Sequence, residues 1–136
     1  MRTTFAVIVA LGAWLMAAPL LAHHAFSSEF DIGKPLKLRG TLTKWEMINP
    51  HSWFHIDVKG EDGTVVPWLI EGGSPNQLIR LGVTKSKLPI GAEFIIEGYQ
   101  ARDGTNKAVG RNFTLADGSS FLLGGSAPGA GGGENK

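Results

Sequence analysis

Three Asp-Gly pairs, Asp62-Gly63, Asp103-Gly104 and Asp117-Gly118, fall between short runs in which apolar and polar residues alternate. Glycine after a short polar residue suits a tight turn, and alternation is the periodicity of a half-buried strand. This punctuation leaves little room for any fold except one built from short strands. Leu36, Leu38 and Leu42 alternate with Lys37, Arg39 and Thr41 in a first strand, and Gly40 within it predicts a bulge or sharp bend. Asn49-Pro50 ends that strand as a turn. A second strand runs from Trp53 to Lys59, with Phe54, Ile56 and Val58 on one face and Trp53, His55 and Asp57 on the other. A third runs from Val65 to Glu71, where Pro67 predicts an edge position or a strand end.

Only one segment carries a helix start. Ser74 is a natural N-cap and Pro75 suits the first helical position. Leu78, Ile79 and Leu81 supply an apolar side, and Gly82 ends the helix. Strands follow at Phe94–Tyr99 and Val109–Leu115, then a reversal into Phe121–Leu123. The fold class expected is all-β with one short helix. Three strands, a helix and two or three more strands is the order of a small OB-like five-stranded barrel, with an open sandwich as its rival.

The N-terminus has a different character. Arg2 precedes the uncharged run FAVIVALGAWLMAA, Pro19 breaks it, and Leu20-Leu21-Ala22 leads to His23. This is the layout of a signal peptide, so residues 1–22 are expected to be removed and the protein to be periplasmic or secreted. The run is also long enough to span a bilayer, but Pro19 and the lack of charge after it argue against an uncleaved anchor. Residues 23–35 read as an irregular lead-in that Phe26 and Phe30 could pin to the body. Residues 36–123 read as the OB-like domain, and 124–136, GGSAPGAGGGENK, as a disordered Gly-rich tail.

Composition excludes several classes. With no cysteine there are no disulfides, thiolate metal sites, iron–sulfur clusters or attached c-type haem. The full chain carries a formal charge of +1, and removing Arg2 with the leader brings it to zero. A neutral chain lacks the basic footprint of a nucleic-acid binder. After cleavage nothing remains to hold it in a membrane.

The segments HHAFSSEFD, KPLKLRGTLTKWEMINPHSWF, WLIEGGSPNQLIRLG and EGYQARDGTNKAVGRNFTLADG, in that order, resemble a family of small exported bacterial proteins of unknown function. The resemblance runs from His23 to about Asp117. It implies export and a compact β domain, and carries no activity or catalytic residue with it.

The four histidines hold the most chemistry. Cleavage after Ala22 would free the amine of His23, which with its own imidazole forms a bidentate chelate. His24 could chelate through its ring, the intervening amide and the amine. His51 and His55 lie in NPHSWFH. On one straight strand they share a face but stand about 13 Å apart, at ~3.3 Å per residue. Metal–nitrogen bonds of roughly 2.0–2.1 Å forbid one ion from bridging both. The metal ligands expected are therefore His23, His24 and His51, with His51 free to reorient at its turn, and the ion expected is copper or zinc. The bland alternative is that these histidines are polar residues serving a chain terminus and a turn.

Trp45, Trp53 and His55 offer a second candidate, a metal-free aromatic face for a small molecule, glycan or protein. Parity along the first strand puts Trp45 opposite Leu42, toward the polar side. Core or rim packing is the competing role for these rings. No G-x-S-x-G, H-E-x-x-H or cysteine nucleophile is present. Glu71-Gly72-Gly73-Ser74-Pro75 could offer amides to an anion, but a plain strand-to-helix connection explains it as well. The chain reads as a binding protein rather than an enzyme.

Overall fold

The computed structural model describes residues 26–131. The leader, His23 and His24 lie outside the described residues. Strand β1 spans Phe30–Met47, β2 Ser52–Lys59 and β3 Val65–Gly72. Helix α1 spans Pro75–Arg80, followed by β4 at Glu93–Ala101, β5 at Lys107–Leu115 and a short β6 at Ser120–Leu122. One further helical turn covers residues 26–29.

The pairings close into a ring of five strands. β1 pairs antiparallel with both β2 and β4, β2 with β3, and β4 with β5. A short parallel pairing of Leu69–Glu71 with Lys107–Val109 joins β3 to β5 and completes the ring. β6 adds only to β5. Inside the ring lie Leu42, Phe54, Ile56, Ile70, Phe94, Ile96 and Phe113, with Leu78 of α1 packed against them. Each of these side chains is nearly or fully withdrawn from water, and their combined apolar area is the main favourable term in folding. Among the described residues no helix is long and apolar enough to cross a membrane.

The three Asp-Gly turns form as expected. Gly63, Gly104 and Gly118 all have positive φ. In each turn the aspartate Oδ1 accepts the backbone N–H two residues on, from Thr64, Thr105 and Ser119. The helix has its expected cap. Gln77 N–H donates to Ser74 Oγ at 3.3 Å, and Ser74 N–H donates to Gln77 Oε1 at 3.0 Å. This reciprocal pair satisfies two amides that the first helical turn cannot. Pro67 stands on an open stretch of edge, because β5 meets β3 only from Leu69 onward.

Three expectations need correction. β1 begins at Phe30, inside the stretch 23–35 expected to be irregular, because Phe30 pairs with Ala101 across an interruption before Pro35. The bulge lies beside Thr43, not at Gly40. Gly40 instead marks where β1 passes from pairing with β4 to pairing with β2, and a Cβ there would stand 2.9 Å from Ile56 Cδ1. Finally, residues 124–131 do not behave as a loose tail. Gly124 N–H donates to Ala130 C=O at 2.7 Å, and Ala127 and Ala130 are buried. Small alanines fit where the composition suggested only glycine-rich disorder.

Those alanines join a second apolar cluster, with Phe26, Phe30, Ala101 and Val109. Phe26 meets Tyr99 edge-on, with ring centroids 5.6 Å apart. Val109 pairs with Glu71 across the β3–β5 seam. Residues 26–30 and 127–130 are thus packed over one part of the ring's outer surface, and a recess remains at their margin.

Candidate site around His51 and Glu71

The β2–β3 register decides which side chains meet. Trp53 stands directly opposite Glu71, and Ser52 opposite Gly72. His51, two residues before Trp53, shares the outer face by the alternation of a strand. Ser52 N–H donates to Gly73 C=O at 2.8 Å and extends the ladder to the edge of the turn. His51 Nδ1 and Glu71 Oε1 are thereby joined in a hydrogen bond.

Glu71 is only 4% exposed although it lies on the outer face. Burial raises its carboxyl pKa above the ordinary range, the adjacent His51 works against that rise, Glu29 adds to it, and Lys107 opposes it. A buried carboxyl is costly unless it is hydrogen-bonded, and His51 supplies the bond. The His51 side chain itself is 36% exposed, so the pair has one dry member and one that reaches solvent.

A cavity of about 350 Å³ opens beside them. Residues 28–30 make one wall and 48–51 another, Trp53 and Glu71 contribute the strand side, and Ser126 completes the lining. Lys107 pairs with Glu29 and holds its ammonium 4.8 Å from the Trp53 ring centroid and 5.8 Å from that of Phe30. This contact ties the turn at 26–29 to β5.

His55 is on the same face but has a different partner, with its Nε2 3.3 Å from Glu46 Oε2. Lys44 and then His55 hold the Glu46 carboxyl below its ordinary range. The two histidines of NPHSWFH are therefore each set against a separate carboxylate. Among the described residues no group of three or more His, Cys, Asp or Glu is arranged to hold a metal.

The expected aromatic face does not assemble. Trp45 pairs with Phe54, which belongs to the core, and packs edge-on against it at 4.9 Å. Trp53 pairs with Glu46 on the other side of the sheet. The cause is the bulge: Leu42 faces Ile56 and Lys44 faces His55, so Thr43 is an extra residue and parity reverses after it. Trp45 consequently shares the inner face with Leu42. Trp53 stays outside, with Lys107 over its ring.

The sequence names Glu71 only as the start of the strand-to-helix connection, not as the partner of His51, and does not single out Glu29 or Lys107. Glu71 left one signal, as the sole acid closing the otherwise apolar strand stretch WLIE. Glu29 and Lys107 left none, since they are 78 residues apart in sequence and meet only through the fold.

The fold and site define a small β-ring protein with a histidine–carboxylate pair beside an outer-face cavity. The chain belongs to the family of unknown function DUF6152, whose profile it matches over residues 13–111. No curated protein matches it.

Proposed function

We propose that this is an exported binding protein that folds as an OB-like barrel and takes copper(II) or zinc in the cavity beside His51. The five-strand ring in the order β1-β2-β3-β5-β4, with α1 between the third and fourth strands, supports the barrel reading. The observation that carries the metal reading is the bond from His51 Nδ1 to the buried Glu71. Metal-binding histidines characteristically have their second ring nitrogen held by a carboxylate, which fixes the ring and raises its basicity.

The remaining ligands would come from the processed N-terminus. Residues 28–30 line the cavity, and His23 precedes Phe26 by a stretch that spans at most about 10 Å when extended. Cleavage after Ala22 would supply the amine and imidazole of His23, with His24 as a further donor. Copper(II) favours such nitrogen sets. The protein would act in the periplasm or outside the cell, without nucleic acid or membrane as partner. A metal-free reading for a small molecule keeps one support, since the cavity volume falls within the range of small-ligand sites.

The test uses the full chain, exported by its host and recovered after processing. Mass spectrometry identifies the first residue, and copper(II) titration with electron spin resonance follows binding. Sub-micromolar binding with nitrogen hyperfine structure is expected, lost in His23→Ala and His51→Ala and kept in His55→Ala. No binding in that range, or binding indifferent to His51→Ala, would overturn the metal reading and leave the small-molecule reading.

A further inference from the structure

We propose a second binding site, at the bulge of β1, for a small carboxylate with an apolar body. It shares no lining residue with the cavity beside His51, and it stands whether or not that cavity takes a metal.

The site exists because β1 outruns one of its partners. β1 and β4 stay paired as far as Thr41, and Leu42 closes the contact. Its N–H donates to Ala92 C=O at 2.9 Å, and its C=O accepts from Gly91 N–H at 2.8 Å. Past the bulge at Thr43, β1 pairs with β2 alone. Ser52 N–H is turned to Gly73 on the β3 side, so in the Met47–Ser52 pair neither backbone points at the other. Trp45, two residues before Met47, is turned the same way, with its backbone N–H toward the open edge.

The loop after α1 walls this edge without filling it. Thr84 C=O accepts from Lys87 N–H at 3.0 Å and from Leu88 N–H at 2.9 Å, a turn that leaves Lys85 exposed. Leu88 is buried and anchors the loop in the core. Between strand and loop a cavity of about 320 Å³ remains. Thr43, Lys44 and Trp45 line one side, and Lys85, Leu88 and Ile90 the other. Its volume falls within the range of small-ligand sites.

The chemistry of the lining selects the guest. Its charged members are two lysines, and no carboxylate is among them. Lys44 is committed to Glu46, but among the described residues Lys85 makes no ion pair. The Trp45 Nε1–H is shielded from solvent and has no acceptor among the described residues, which is costly for a donor. Thr43, Lys44, Lys85 and Ile90 are all exposed, so the lining can shift to let an acceptor reach that N–H. Lys85, the indole and the outward backbone N–H of Trp45 are all donors, and a carboxylate is the acceptor that an ammonium binds most strongly. Leu88 and Ile90, the latter 60% exposed, offer apolar surface to the rest of the guest. A cationic guest would meet Lys85 with no carboxylate in the lining to offset it.

The test uses the processed, ¹⁵N-labelled protein with a chelator present, so that no metal contributes. Octanoate, octanol and octylammonium, which share one chain and differ in charge, are titrated while proton–nitrogen NMR spectra are recorded. Octanoate should shift the Trp45 indole N–H, identified by its loss in Trp45→Phe, and the amides of residues 43–45 and 85–90, saturably in the millimolar range or below. Octanol should bind more weakly, and octylammonium should leave these signals in place. Lys85→Gln should weaken octanoate roughly 10-fold, the loss of one charge-assisted bond. Lys85→Arg should retain most of the affinity, Ile90→Ser should reduce it, and Lys87→Gln, beside the site but outside its lining, should leave it unchanged. No saturable shift with octanoate would overturn the proposal. So would octylammonium binding as tightly as octanoate, an unchanged affinity in Lys85→Gln, or shifts confined to residues around His51. If Trp45→Phe fails to fold, the exposed Lys85 variants and the three ligands still decide.

Discussion

Lys107 holds its ammonium over the ring of Trp53, 4.8 Å from the centroid, while the same ammonium pairs with Glu29. This one side chain joins β5, β2 and the turn at 26–29, and so keeps one wall of the cavity against the sheet. Both charged groups of the ion pair are partly exposed, which limits its worth, whereas the ring contact adds an attraction of its own. Lys107→Ala should cost about 1 kcal/mol in urea unfolding. It should also shift the Trp53 emission to longer wavelength and speed amide exchange over residues 26–30. Lys107→Arg should retain most of each signal. Unchanged exchange in Lys107→Ala would show that the lead-in is held without Lys107, by Phe26, Phe30 and the bonds from Arg102 to Ser27 and Glu29.

Gly98 presents a steric prediction. A Cβ there would stand 2.1 Å from the Val109 carbonyl oxygen, at the irregularity where Glu97 faces Asn112 and Gly98 faces Gly110. Backbone cannot step aside without breaking the β4–β5 ladder. Gly98→Ala should destabilise the protein by about 3 kcal/mol. Gly104→Ala is the control. It has open space around it and only a positive φ of 76° to oppose a side chain, so a loss nearer ~1 kcal/mol is expected. Similar losses at the two positions would rule out steric contact as the cause.

Acid should weaken the fold through its turns. Thr64, Thr105 and Ser119 donate to Asp62, Asp103 and Asp117 and hold those carboxyls below their ordinary range. A carboxyl with a lowered folded pKa contributes stability above its unfolded value, and that stability is lost as pH falls through the folded value. Glu71 acts with the opposite sign, because burial raises its pKa; its contribution is present at low pH and lost as pH rises. The melting temperature should therefore fall below about pH 4. The triple variant Asp62→Asn, Asp103→Asn, Asp117→Asn should flatten that fall, since asparagine accepts the same amide bonds without titrating. A triple variant as acid-sensitive as the parent would assign the effect elsewhere.

Local chemistry made much of the fold legible. The Asp-Gly turns, the Ser74 cap with Pro75, and the alternation in β2 are properties of a few neighbouring residues, and each appears as read. The reading of Trp45 failed for an equally specific reason. Parity counted from Leu42 assumes an uninterrupted strand, and one extra residue at Thr43 reverses every position beyond it. No residue type at Thr43 announces this, because a bulge answers to the partner strand's register. Residues 124–131 depart from the expected loose tail because composition registers glycine content but not the burial of Ala127 and Ala130.

The same division runs through the site. NPHSWFH by itself puts His51, Trp53 and His55 on a common face, because a strand alternates whatever surrounds it. Which carboxylate each histidine meets was decided by tertiary structure: Glu71 reaches His51 through the β2–β3 register, and Glu46 reaches His55 only after the bulge. Burial of Glu71 needed still more of the chain, since Phe30, Val109, Ala127 and Ala130, distant in sequence, come together over the outer surface. The sequence determined alternation and turns, which are short-range; the fold alone determined the dry carboxylate beside a solvent-reaching imidazole, because burial is a property of everything packed around a group.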